Sequence, residues 1–194
     1  MSEEQERTTG GEGERPPRRT PEMQVTKSDE GAAPEPEVGG VASLFREVLP
    51  DVVFGAEQQA YDVALTVSRE DLVRVMEAAR RDPRLAFDYF RFNSGVDYQA
   101  EGLEVVYGLY SLTHKHSVII KVRVPQDDAW VPTLVHLWKG ANWHERETRE
   151  MFGIEFRGHP DPRNLLLDED LDIHPLRKDH PLAEIELKQG ENVF

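Results

Sequence analysis

The chain has no cysteine. That excludes disulfides and every thiolate-held centre, iron–sulfur clusters and cysteine-bound zinc included. It also lacks a long apolar run. "SVII" and "LLL" are among the longest, far short of the roughly 18–20 residues that cross a bilayer. Positive charge is scarce as well: 23 Lys and Arg stand against 37 Asp and Glu, for a formal net charge of -14. Such a chain has no general affinity for phosphate backbones or anionic lipid, so nucleic acid is not an expected partner. The N-terminus, "MSEEQERTTGG", has neither the basic-then-apolar pattern of a secretory signal nor the Arg-rich, acid-poor pattern of a mitochondrial one. The expectation is a soluble protein of the cytoplasm. Any membrane contact comes through a partner.

What is present divides by composition. Residues 1–40 are rich in Gly, Pro, Glu, Ser and Thr and carry ten acids against five bases. With so little apolar surface to bury, this segment reads as a disordered acidic tail. Order is expected from "VASLFREVLP", where Val41, Leu44, Phe45 and Val48 fall at helical spacing. "AYDVALTV" alternates as a strand. "SREDLVRVMEAARRDP" reads as a helix capped by Ser68, with Glu70 and Asp71 in its first turn and Pro83 stopping it. "LAFDYFRF" is a further strand. "GLEVVYGLYSL" and "SVIIKVRVP" form a hairpin across "THKH", with Val118, Ile120, Val122 and Val124 on one face and Lys121 and Arg123 on the other. Two helices are expected next: "DDAWVPTLVHLW", capped by Asp128, and "NWHERETREMF", capped by Asn142 and ended by Gly153 in a left-handed turn.

After Gly153 the periodicity stops. Pro160, Pro162, Pro175 and Pro181 punctuate isolated apolar knots, Ile154 with Phe156 and Leu165 to Leu167. This reads as an extended strap suited to another protein's groove. The fold expected is α+β: a mixed, largely antiparallel sheet packed with helices over residues 41–152, then a long extended C-terminal tail over 153–194.

The chemistry-bearing residues concentrate in the last third. His144, Glu147 and Glu150 share a helix at metal-site spacing, but a di-iron bundle needs two Glu-x-x-His motifs and further carboxylates. The alternative is an ion-paired face, Glu145 with Arg149 and Arg146 with Glu150 at i,i+4. Glu145 and Glu147 cannot flank one bond, because i and i+2 point apart on a helix. His159, His174 and His180 each precede a proline, which suits either a hydrogen bond to a partner or plain solvation. The bases of Arg177–Asp179 read more simply as interface charges than as a phosphate clamp. No phosphate loop or nucleophile elbow is found, and nothing assembles a catalytic site. A metal centre on His144, Glu147, His159 and His174 is the rival reading.

The run from His144 to Leu182, "HERETREMFGIEFRGHPDPRNLLLDEDLDIHPLRKDHPL", resembles the signature of the 30 kDa subunit of respiratory complex I, known in bacteria as the C subunit of NADH-quinone oxidoreductase. Glu145-Arg146-Glu147, Glu150, Met151-Phe152, Gly153-Ile154, Phe156, Gly158-His159-Pro160 and His174 to Asp179 carry it. The resemblance reaches back more weakly to about residue 60. It departs at Leu171 and Ile173, where the family usually has Trp and Gly, and at Asn164, where a second base is frequent.

The resemblance implies a scaffold in the peripheral arm of the complex. The chain would bind no cofactor and supply no catalytic or metal-ligating residue. FMN and iron–sulfur clusters would sit in partner subunits, in keeping with the missing cysteines. Its partners would be the quinone-site (49 kDa-type) subunit and neighbouring iron–sulfur subunits, at the cytoplasmic face of the cell membrane. The residues expected to dock are Glu145, Arg146, Glu147, Gly153, His159, Pro160, His174, Pro175, Arg177, Lys178 and Asp179. The assembled enzyme would pass electrons from NADH to quinone and pump ions. The same module is also implied for ferredoxin- or F420-linked relatives and membrane-bound hydrogenases.

Overall fold

The computed structural model describes residues 39–59, 62–169, 171 and 173–179. Residues 1–38 of the expected acidic tail and residues 180–194 of the expected C-terminal tail, His180 and Pro181 among them, lie outside them, whereas Gly39 and Gly40 begin a helix. Helix α1 (Gly39–Val48) is followed by β1 (Gly55–Gln59), β2 (Asp62–Val67), α2 (Leu72–Arg81), β3 (Tyr89–Asp97), β4 (Leu103–Tyr110), β5 (Ser117–Val124), β6 (Trp130–Pro132), α3 (Ala141–Phe152) and β7 (Glu155–Arg157). The main sheet has the order β1-β2-β5-β4-β3. Only β2 and β5 run parallel within it. The fold is therefore mixed α+β with a largely antiparallel sheet, as the patterning indicates.

The β4–β5 hairpin has the face polarity its alternation requires. Val105 pairs with Val122, Tyr107 with Ile120 and Leu109 with Val118, and all six side chains are buried. Leu65 of β2 joins the same face across from Ile120. The helices contribute Phe45, Leu72, Val75 and Met76 to this core.

Several expectations shift. The helix over 128–138 does not form. Pro132 lacks an N–H and disfavours helical geometry at Val131, so Trp130–Pro132 instead runs parallel to Glu155–Arg157. Asp128 closes a short 3₁₀ turn rather than capping a helix. Asn142 lies inside α3, behind Gly140 at the N-cap position. Ser68 does accept the Asp71 N–H at 3.1 Å, but Glu70 and Asp71 lie in the turn that precedes α2. The strand near "LAFDYFRF" begins later and runs through "NSGVD" to Asp97. β1 is almost wholly polar and exposed, so no apolar alternation announces it.

Beyond Gly153, β7 belongs to the core: Ile154 and Phe156 are buried. One contact seats α3. A Cβ on Gly95 of β3 would lie 2.5 Å from the Phe152 ring, so the helix rests where the strand has no side chain.

Candidate docking site

Helix α3 turns two different faces to the chain. Ala141, Glu145, Thr148 and Phe152, at spacings of four, three and four, are its buried side. Two of the four are polar, which is why the helix lacks a clean apolar stripe. Each is satisfied. Thr148 donates to Asn93 Oδ1 at 2.9 Å. Glu145, fully buried, accepts the Thr133 hydroxyl at 2.5 Å and the Leu134 N–H at 2.7 Å. It thereby ties down the segment that would otherwise have been helix. Burial pushes the Glu145 carboxyl up to about 7, and the Thr133 and Leu134 bonds only partly oppose this.

The other side of α3 holds the C-terminal segment. Arg146 donates to the carbonyls of Arg163 at 2.8 Å and Asn164 at 2.7 Å and lies 3.7 Å from Asp161. The Glu150 carboxylate, nearly buried, accepts the N–H groups of Leu165, Leu166 and Leu167 at 2.9, 3.0 and 3.2 Å. The i,i+4 ion pairs expected along the helix are thus replaced by contacts to backbone. His159 Nε2 lies 3.2 Å from the Asn142 carbonyl and 4.0 Å from Glu145, and its Nδ1 accepts the Asp161 N–H.

The last turn of α3 is closed by the same segment. Its final carbonyls are those of Arg149, Glu150, Met151 and Phe152. They meet, in order, the Gly153 N–H at 2.8 Å, His174 Nδ1 at 2.9 Å, the Leu176 N–H at 3.1 Å and Arg177 Nε at 2.6 Å. Gly153 is left-handed (φ 68°), and a Cβ there would lie 2.5 Å from His174 and 2.7 Å from Arg177. Only glycine suits both the turn and the space. One residue on, the Lys178 N–H reaches Asp97 Oδ2 at 2.8 Å. That bond, opposed by desolvation, holds the Asp97 carboxyl below its ordinary value.

The structure therefore gathers Glu145, Arg146, Gly153, His159, His174 and Arg177 around one helix. Pro175 is half-buried among them, whereas Glu147, Pro160, Lys178 and Asp179 are exposed. His144 packs against Phe90, ring centroids 6.0 Å apart. Among the described residues no group of three or more His, Asp or Glu side chains is placed to hold a metal ion. Sequence reasoning missed Glu150, Thr133 and Asp97 as anchors. Glu150 carried a signal, its place in the signature; Asp97, 81 positions from its partner, carried none.

Beside these charges the scaffold also leaves large apolar side chains outward. Of eight large exposed apolar side chains among the described residues, four lie on α3 or the segment it holds: Trp143 (67% exposed), Leu166 (64%), Leu176 (53%) and Leu171 (37%). Trp143 lines a shallow cleft of about 360 Å³ with His144, Glu147 and Leu165. Exposed aromatic and aliphatic groups clustered on a rigid support characterise protein interaction sites.

Residues 65–186 match the family described as the respiratory-chain NADH dehydrogenase 30 Kd subunit. The chain is 43% identical over 145 residues to the C subunit of NADH-quinone oxidoreductase from Roseiflexus sp. (strain RS-1), covering 74% of this chain and 83% of the relative. To the corresponding C subunit from Chloroherpeton thalassium it is 38% identical over 159 residues, 81% of this chain and 66% of the relative. Among solved structures, a trypsin-resistant fragment of Nqo5 is similar at 28% identity and a TM-score of 0.55, covering 62% of this chain and 98% of that one. A chain of an archaeal membrane-bound sulfane sulfur reductase shares the fold, at 19% identity, a TM-score of 0.65 and 79% and 92% coverage.

Proposed function

We propose a role that starts from one fact: the chain belongs to the family of the respiratory-chain NADH dehydrogenase 30 Kd subunit. Its part is that of a non-redox scaffold in the peripheral arm of a proton-translocating NADH-quinone oxidoreductase. It docks on the quinone-site subunit and on neighbouring iron–sulfur subunits. Electrons pass from NADH through FMN and clusters held by those partners to quinone. The chain itself needs no redox ligand, and with no cysteine it has no thiolate to offer a cluster. It sits at the cytoplasmic face of the membrane, bound through the complex. Among the described residues no helix is long and apolar enough to cross a bilayer.

The observation that carries this reading is the exposed apolar group on α3 and its strap. Trp143 and Leu166 are about two-thirds exposed on backbone that internal hydrogen bonds hold in place. A large apolar side chain on a preorganised support costs little ordering entropy when a partner covers it. The test replaces Trp143 and Leu166 by Ser in a host that assembles the complex. The free subunit should keep its stability, because neither side chain is in the core. Its recovery with the quinone-site subunit should fall by about tenfold or more, as hot-spot aromatics at interfaces lose about 2 kcal/mol or more on truncation. Turnover per assembled complex should stay unchanged. Full recovery of the doubly substituted subunit with its partner would remove the basis of the proposal.

A further inference from the structure

Arginine is used sparingly in this acidic chain, and nearly always against a carboxylate. Nine of the thirteen described arginines lie within 4 Å of one. Of the remaining four, Arg46 stands apart and Arg80 lies over the Trp138 ring. The other two, Arg149 and Arg177, share the C-terminal end of α3. Arg149 makes one hydrogen bond, to Asn164 Oδ1 at 3.3 Å. Arg177 commits its Nε to the Phe152 carbonyl. Its Nη2 and the His174 Nε2 both crowd the point where Gly153 would carry a Cβ. Gly153, Arg149 and His174 line one open cleft of about 530 Å³.

Two of the acids near this cleft have other partners. Glu155 is paired with Arg157, whose guanidinium also stacks on Trp130. Glu150 is taken up by three backbone N–H groups. Glu169 borders an adjoining cleft with Arg149 but forms no ion pair with it within 4 Å. Both arginines are half-buried, so their positive charge is concentrated in a concave, partly desolvated site rather than spread into solvent. His174 donates Nδ1–H to the Glu150 carbonyl, which leaves Nε2 to face the cleft. The Arg149 guanidinium lines the cleft and the Arg177 Nη2 reaches its Gly153 wall, so N–H groups of two guanidinium groups are placed to bind a planar, doubly accepting anion, while His174 Nε2, an acceptor, only shapes the wall.

We propose that the cleft at the end of α3, bounded by Arg149, Gly153, His174 and Arg177, receives an Asp or Glu side chain of the partner subunit. This rests on the docking role above and gives that interface its electrostatic contact beside the apolar one. Charge complementarity selects the occupant. The chain carries a net charge of -14, so a partner carboxylate finds few favourable places on it, which makes a contact at this site a register mark for docking.

The test is zero-length cross-linking in the assembled complex. Arg149→Lys keeps the charge and brings a primary amine to the cleft. A carbodiimide then joins that amine to any carboxylate in salt-bridge reach, with loss of water. The expected product is a covalent adduct between position 149 and an Asp or Glu of a neighbouring subunit, identified by peptide mass. Wild type, with no amine at 149, should not give it. In parallel, Arg149→Gln should leave the free subunit folded and weaken its retention in the complex by about tenfold, with the difference shrinking at high salt. An adduct from position 149 to a carboxylate of this same chain would overturn the proposal. So would assembled complex that yields no adduct at 149, or Arg149→Gln retained like wild type at every salt concentration. A chain that never co-purifies with the complex would instead sink the docking role itself, so the two failures are distinguishable.

Discussion

Replacing Glu150 by Gln puts a defined strain on the contact between α3 and its strap. The carboxylate is almost fully buried and accepts three consecutive N–H groups: Leu165 and Leu167 on Oε2, and Leu166 on both oxygens. Gln keeps the shape and one acceptor oxygen. The other position becomes an NH2 group, which meets incoming N–H donors head-on. With the amide oxygen where Oε2 stands, the Leu166 bond to Oε1 is lost and the Leu165 and Leu167 bonds remain without their charge; bonds to a charged group are worth about 1.5–3 kcal/mol and neutral ones about 0.5–1.5, which sets a ceiling of roughly 3–6 kcal/mol. Leu165 and Leu167 are only half-buried and Leu166 is exposed. Water therefore recovers part of the loss once the strap lifts, and the expected net cost is about 1–3 kcal/mol. The measurement is amide hydrogen exchange at Leu165–Leu167 together with urea unfolding. Exchange at those three amides should speed up by about tenfold or more while the sheet amides stay protected. Glu147→Gln, on the same helix but exposed, is the control and should shift stability by no more than about 0.5 kcal/mol. If Glu150→Gln and Glu147→Gln behave alike, the strap is not held by the carboxylate and the account of α3 as its anchor is wrong.

Other consequences are equally direct. The buried Glu145 carboxyl is raised from 4.5 to about 7, so the folded chain prefers its protonated form. Its stabilising effect is present below pH 4.5 and is lost as pH rises through about 7, amounting to at most about 3 kcal/mol. Tyr107 from β4 and His159 from the strap are the titratable groups facing it. Glu145→Gln should flatten that dependence, read as urea midpoints at about pH 5 and about pH 8; an unchanged slope would show that the carboxyl does not titrate in this window. Gly95→Ala forces a methyl group to 2.5 Å from the Phe152 ring and should cost about 1–3 kcal/mol by thermal unfolding. A neutral result would mean that α3 can slide along β3.

Local pattern made the β4–β5 hairpin readable, because Val118, Ile120, Val122 and Val124 recur at every second position and so do their partners Leu109, Tyr107, Val105 and Leu103 in β4. It made α2 readable down to Pro83. It failed at Trp130–Pro132, whose strand exists only because Glu155–Arg157 returns from 25 residues away to pair with it and because a proline stands in the middle of an otherwise helical period. The residues of the signature were readable and their bonding was not. Arg146, His174 and Arg177 stand out as a charged signature, which on sequence suggests contacts to another subunit. In the folded chain each is engaged first by a backbone carbonyl of the chain itself. No side-chain pattern encodes a bond to a distant carbonyl, so residue type alone could not distinguish a docking charge from an internal anchor. Arg149, which makes only one side-chain hydrogen bond, has nothing in its sequence surroundings that singles it out.

The closure of α3 by His174, Leu176 and Arg177 also divides the strap into parts that tolerate length change differently. Between Leu167 and Ile173 the described chain makes few bonds to the helix, so one or two added residues there lengthen a loop at a cost of a few tenths of a kcal/mol. Between His174 and Lys178 the situation reverses. Four bonds from His174, Leu176, Arg177 and Lys178, three to the helix end and the last to Asp97 of β3, fix the register of this segment. A single insertion there moves every later group out of phase, and the whole segment must be re-threaded or released. Variation in length is thus expected to accumulate before His174 and to be excluded from the five residues that follow the loop.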